Sequence, residues 1–292
     1  MVVPFRVLIT GIDGFTGQYI ANGLSQDNYQ CFGLKSDLRD RQGVIDEVIG
    51  IKPHYVIHLA AVSFSAELDF TKIYDVNVMG SINLLDALSE LKNPPKKVII
   101  ASTAAVYGNC GVSCLEESLS PAPVSHYACS KLSMEFMSQS YVNKFPIIIT
   151  RPFNYTGLGH DERFLIPKIV RAYRGGKKEL ELGNLDISRE FNDVRDICVM
   201  YQRLLGSNLE HGVVNLCSGK AISLMEIIEM MNGISGYQMN IAVNPKFVRS
   251  NEIKVLSGST LKLKSHIPVS FNYTLFDTLN WMYSSESQIS NF

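Results

Sequence analysis

Arg6-Val7-Leu8-Ile9-Thr10-Gly11-Ile12-Asp13-Gly14-Phe15-Thr16-Gly17 is the stretch on which the reading turns. Arg6 to Thr10 has strand character, and it runs into glycines spaced Gly-x-x-Gly-x-x-Gly ahead of a helical stretch from Gly17 to Leu24. Glycine permits a tight turn, close approach of backbone to a pyrophosphate, and close packing of helix on sheet. The helix start adds unpaired N–H groups and the positive end of a dipole. An ordinary tight turn would also contain glycines. The strand before and the helix after favour an anion site, and Gly11, Gly14, Phe15, Thr16 and Gly17 are expected to hold a dinucleotide.

Outward from this turn, apolar runs alternate with helical patterns. Cys31 to Leu34, Tyr55 to Leu59, Val98 to Ala101, Ile147 to Thr150 and Val213 to Leu216 read as strands. Helical spacing spans Gln42 to Ile49, Val76 to Leu91, Tyr127 to Asn143, Phe164 to Tyr173, Ser223 to Met231 and Leu275 to Tyr283. Continuous apolar strands between amphipathic helices predict an α/β fold, a Rossmann-type doubly wound parallel sheet covered on both faces. Beyond Phe153 the pattern breaks up, which predicts a smaller C-terminal substrate lobe interleaved with the sheet. Residues 1–153 and about 190–218 are assigned to the dinucleotide-binding domain, and about 154–189 and 219–292 to the lobe.

Composition excludes several classes. The 292 residues are 46% hydrophobic and 19% charged, so disorder is not expected. With 27 Lys+Arg against 28 Asp+Glu, no basic field exists for nucleic acid. No apolar run reaches the roughly 20 residues of a membrane span, and no signal-peptide layout opens the chain, so a cytoplasmic protein is expected. The six cysteines lack zinc-site spacing, and no metal is expected.

The end of the second strand bears on the cofactor. A carboxylate there would bond the adenosine ribose 2′-OH and repel a 2′-phosphate. The chain has Leu34-Lys35-Ser36, with no acid before Asp37. Lys35 and Ser36 suit a phosphate, so NADPH is expected in preference to NADH, with Asp37 and Leu38 at the adenine edge. A solvated lysine at a strand end is the plainer alternative.

Downstream, Thr103 follows the strand Val98 to Ala101, at the sheet edge where open α/β folds bind ligands. Tyr127 and Lys131 lie four apart and share one helix face. A phenol titrates near ~10, and a neighbouring ammonium favours its ionised form. Tyr127 is therefore expected to exchange a proton with a carbinol oxygen, Thr103 to orient that oxygen, and Lys131 to tune Tyr127 and reach the cofactor ribose.

At these residues the chain resembles the extended short-chain dehydrogenase/reductases of the sugar-nucleotide-modifying branch. Thr10 to Gly17, His58-Leu59-Ala60-Ala61, Asn77-Val78-Met79-Gly80, Thr103 to Gly108 and Tyr127 to Lys131 carry the resemblance. It implies that Leu59, Ala60, Ala61 and Asn77 also line the cofactor. Arg151 to Gly157, Gly183 to Asp196 and Asn244 to Glu252 look most like GDP-6-deoxy-4-keto-hexose reductases. In such relatives the residues matching Asn154, Arg189, Arg249 and Glu252 contact the nucleotide-diphosphate sugar, as suits guanidinium and carboxylate chemistry. Family dehydratases carry an acid just after the catalytic Thr, where this chain has Ala104 and Ala105; family epimerase/reductases carry a cysteine matching Ala105 and a histidine matching Phe164. The resemblance thus implies a homodimeric reductase of a nucleotide-activated 4-keto-6-deoxy sugar. The alternatives are an NAD-dependent 4-epimerase, a 4,6-dehydratase, or a non-catalytic nucleotide-binding protein.

Overall fold

The computed structural model describes residues 3–63, 69–248 and 254–285. The six apolar runs become one parallel sheet: β1 (Phe5–Thr10), β2 (Tyr29–Gly33), β3 (Tyr55–His58), β4 (Lys97–Ala101), β5 (Ile147–Pro152) and β6 (Gly212–Leu216), in the order β6-β5-β4-β3-β1-β2. β1 pairs with β2 on one side and β3 on the other. The strand order reverses at this point, which opens a crevice at the carboxyl ends of the strands.

Both faces of the sheet are covered, which is why its strands read as continuous apolar runs rather than alternating ones. Val7, Ile9, Ile57, Ile99, Ile148 and Val214 point to one side, against α1 (Phe15–Leu24) and α7 (Val194–Gly206). Leu8, Val56, Val98, Ile100 and Ile149 point to the other. There they meet α2 (Arg41–Ile51), α4 (Gly80–Ser89) and α5 (His126–Ser138). Successive residues of a strand alternate between these two cores, as the pleat requires.

A third core lies away from the sheet. It gathers Ile169 and Tyr173 of α6 (Leu165–Arg174), Ile227 and Met231 of α8 (Leu224–Ser235), and Leu279 of α10 (Leu275–Ser284). Short strands flank it: Glu179–Leu182 pairs with Asn240–Val243, and Ser188–Arg189 lies between Ile222–Ser223 and Val255–Gly258. Strands this short carry too little periodicity to be read from sequence, so the pattern breaks up beyond Phe153.

Three elements differ from expectation, among them α9 (Leu261–His266), which is not one of the expected helices. The helix expected from Val76 begins earlier, as α3 (Phe70–Tyr74), and passes through a π-helical turn (Asp75–Met79) into α4. α7 is not among the expected helices, although Asp193 caps it through Arg195 N (2.8 Å) and Val194, Ile197, Tyr201 and Leu204 repeat at helical spacing.

Candidate active site

The glycine turn closes β1 onto α1. Gly11 has φ +72°, and a Cβ placed there would lie 3.2 Å from the backbone of Ala60. A Cβ on Gly17 would lie 2.2 Å from the Gly11 carbonyl oxygen. Gly14 is the N-cap of α1, where no side chain caps the helix and no acid stands in the first turn. This start leaves first-turn amides for an anion and room for its close approach, so the turn fits a dinucleotide pyrophosphate.

Phe15 and Thr16 are held from the other side of the crevice. The Phe15 ring stacks on His160 at 4.5 Å, and His160 stacks on Phe164 at 4.4 Å. The Thr16 hydroxyl pairs with the Tyr155 hydroxyl at 2.7 Å. His160 is thus a packing group between two rings, and burial pushes its pKa down to about 4.

Behind the turn runs a hydrogen-bond chain. The Leu59 and Ala60 amides donate to Thr10 Oγ1 (3.1 Å each), leaving that hydroxyl to donate to His58 Nδ1 at 2.6 Å. His58 Nε2 then donates to Ser81 Oγ (2.8 Å), which donates to the Asn77 carbonyl (2.6 Å). Burial keeps His58 neutral, with its pKa pushed down to about 3. Asn77 is fully engaged: its Oδ1 accepts from Val62 N (2.8 Å), and its Nδ2 donates to Val62 O (3.2 Å) and Ser130 Oγ (3.0 Å). Its side chain ties the loop after β3 to α5.

At the end of β2, sequence reasoning missed a carboxylate. Glu47 reaches back from α2 and accepts from Lys35 N (2.9 and 3.1 Å) and Ser36 N (2.9 Å). Asp37 is exposed and takes Arg39 as a bidentate partner, which holds its carboxyl at about 2. The Leu38 side chain is buried in the core with Val44 and Leu84, and its carbonyl accepts from Asn83 Nδ2 at 2.8 Å.

The catalytic candidates meet beyond β4. Thr103 caps the short helical turn Ala104–Tyr107, its Oγ1 accepting from Ala105 N at 3.1 Å. Ser125 caps α5 in the same way through Ala128 N at 3.2 Å. These caps set Thr103 and Tyr127 side by side, with a hydrogen bond between them that favours the phenolate. Burial outweighs it and pushes Tyr127 up to about 12, whereas the spacing to Lys131 had suggested a lowered value. Lys131 is buried and donates to the Ala101 carbonyl at 2.6 Å. Burial draws its pKa down to about 8, and Glu135 one turn on pulls the other way. Glu135 pairs bidentately with Arg151 of β5 (2.6 and 3.0 Å) and accepts from Ser102 Oγ.

Of the expected substrate contacts, Asn154 is exposed, and its carbonyl accepts from Asn192 N at 2.9 Å. Arg189 is half-buried and donates to Ser188 O at 2.9 Å. Nearby, Leu185, Asp186, Ile187, Ser188, Ser223 and Met225 line a cavity of about 340 Å³. Arg249 and Glu252 lie outside the described residues. Among the described residues no helix is long and apolar enough to cross a membrane, and no cluster of His, Cys, Asp or Glu could hold a metal ion.

Fold and site together are those of an extended short-chain dehydrogenase/reductase. The family described as GDP-mannose 4,6 dehydratase matches residues 34–279, and the chain belongs to it. The chain is 35% identical over 274 residues to GDP-6-deoxy-D-talose 4-dehydrogenase of Aggregatibacter actinomycetemcomitans, covering 92% of this chain and 93% of that protein. It is 30% identical over 273 residues to GDP-6-deoxy-D-mannose reductase of Pseudomonas aeruginosa, covering 88% and 89%. Among solved structures, RMD from Pseudomonas aeruginosa complexed with NADPH superposes with a TM-score of 0.88 at 27% identity, covering 97% of each chain. The protein is an NAD(P)-dependent oxidoreductase that acts on a nucleotide sugar.

Proposed function

We propose that the chain reduces the 4-keto group of a nucleotide-activated 4-keto-6-deoxy sugar, as a step in deoxysugar synthesis. The observation that carries this reading is the surroundings of Thr103. The next two positions are Ala104 and Ala105, so the second acid/base group that elimination of water or abstraction of an α-proton would need is missing there. Tyr127 remains as the proton exchanger beside Thr103. Its pKa of about 12 keeps it protonated at neutral pH, the form a reduction requires.

A nicotinamide dinucleotide held by the glycine turn from Gly11 to Gly17 and by Lys131 would supply hydride chemistry at the site. Thr103 holds the carbonyl oxygen, Tyr127 gives its proton to that oxygen as negative charge develops, and solvent reprotonates the phenolate. The positive charge of Lys131 lowers the cost of that phenolate. Arg189 and Asn154, with Arg249 and Glu252, are the proposed contacts to the nucleotide and sugar. Arg189 stands in the strand Ser188–Arg189 that flanks the third core.

Tyr127→Phe should lose at least about a hundredfold in turnover while keeping nucleotide-sugar affinity. Incubating 4-keto-6-deoxy sugar nucleotides with NADPH or NADH, with products resolved by NMR, tests the reading. One cofactor oxidised per sugar supports a reductase. Unchanged turnover in Tyr127→Phe would sink it, and sugar conversion without net cofactor oxidation would favour a 4-epimerase.

We also propose a cytoplasmic homodimer joined through α4 and α5, whose outer faces and flanks expose Met79, Phe136 and Met137. Light scattering should then give twice the chain mass. The expectation of NADPH has lost part of its basis, because Glu47 takes the backbone donors of both Lys35 and Ser36. The choice between NADPH and NADH therefore turns on Glu47.

A further inference from the structure

We propose that Glu47 makes this protein discriminate against the 2′-phosphate of NADPH, so that NADH is the better-bound cofactor. The inference rests on the dinucleotide reading of the glycine turn. In doubly wound folds the adenosine ribose lies against the end of the second strand, where a carboxylate favours a free 2′-OH. The strand itself ends Gly33-Leu34-Lys35-Ser36 and offers no such acid. The fold brings one from two turns into α2 instead. The Glu47 carboxylate accepts from Lys35 N at 2.9 and 3.1 Å and from Ser36 N at 2.9 Å.

Two consequences work in the same direction. The consecutive amides that would cradle a phosphate at this strand end already hold an anion. Two of the three nearby cations also have carboxylate partners: Arg39 is bidentate on Asp37, with contacts of 2.6 and 3.0 Å, and Arg41 pairs with Asp86 and Glu90 at 3.5 and 3.6 Å. From Lys35 to Glu47 the chain carries Lys35, Arg39 and Arg41 against Asp37, Asp40, Asp46 and Glu47, which is three positive charges and four negative. A 2′-phosphate would add close to two more negative charges beside a fixed carboxylate.

The test measures the affinities of NADH and NADPH for the full-length protein by calorimetry, without sugar substrate. Glu47→Gln removes the charge, and Glu47→Ala also frees the amides. Wild type should bind NADH about tenfold tighter than NADPH or more. That ratio should shrink by about tenfold in Glu47→Gln and further in Glu47→Ala, chiefly through tighter NADPH binding. Should the variants fail to fold, wild type should still bind AMP in preference to adenosine 2′,5′-bisphosphate. A wild type that prefers NADPH or adenosine 2′,5′-bisphosphate, or variants whose ratio stays at the wild-type value, would overturn the proposal. Failure of wild type to bind either dinucleotide would overturn it together with the dinucleotide reading beneath it.

Discussion

Glu135 is the residue that most directly governs Lys131. It stands one turn further along α5, and its negative charge opposes the burial that draws the lysine down to about 8. Removing that charge in Glu135→Gln must lower the lysine further, so the ammonium loses its proton at lower pH. The alkaline limb of the kcat/KM profile should move down by roughly one pH unit. A limb that stays in place would show that Glu135 acts only through packing. The same change leaves Arg151 without its buried partner and should cost about 3–5 kcal/mol of stability, so the profile is read where circular dichroism shows folded protein. The residue-scale reading from sequence was uneven for a physical reason. Thr103, Tyr127 and Lys131 were legible because local spacing fixes them on one strand end and one helix face. Glu135 has the same helical spacing and could have been read. Its ion pair with Arg151, and the reach of Glu47 to Lys35 and Ser36, join different elements, and no local pattern encodes them.

Among the elements, the join of β1 to α1 is the least tolerant. A methyl at Gly17 would lie 2.2 Å from the Gly11 carbonyl and 2.7 Å from Ile12 Cα, both backbone atoms that can move only if the turn opens. Gly17→Ala should cost on the order of 2 kcal/mol and weaken dinucleotide binding at least tenfold, read by chemical denaturation and by calorimetry. Unchanged binding would refute a role for this turn in holding the pyrophosphate. The strands of the sheet were legible because burial on both faces writes them as unbroken apolar runs. α7 was missed although its signals were present: Asp193 as cap, and apolar residues at helical spacing facing Ile9 and Ile57. The paired segments Ser188–Arg189 and Ile222–Ser223 were beyond reach, since a two-residue strand is made by its neighbours and not by its own residues.

For the whole molecule, the sheet depends on segments far apart in the chain. β6 binds β5 along the full register from Gly212↔Ile148 to Leu216↔Pro152, and α7 covers the face that carries Val7, Ile9, Ile57 and Ile99. A fragment of residues 1–153 lacks both, and should show no cooperative unfolding transition; a sharp, two-state transition would refute this dependence. The order of strands also bears on how the protein is made. Synthesis proceeds from residue 1, and α6, Glu179–Leu182 and Ser188–Arg189 emerge before α7 and β6 do. Until Leu216 has left the ribosome, the nascent sheet has an open edge at β5 and a bare apolar face. That interval is when the chain is most exposed to misassembly with its neighbours, and the speed of translation across residues 154–216 sets how long it lasts.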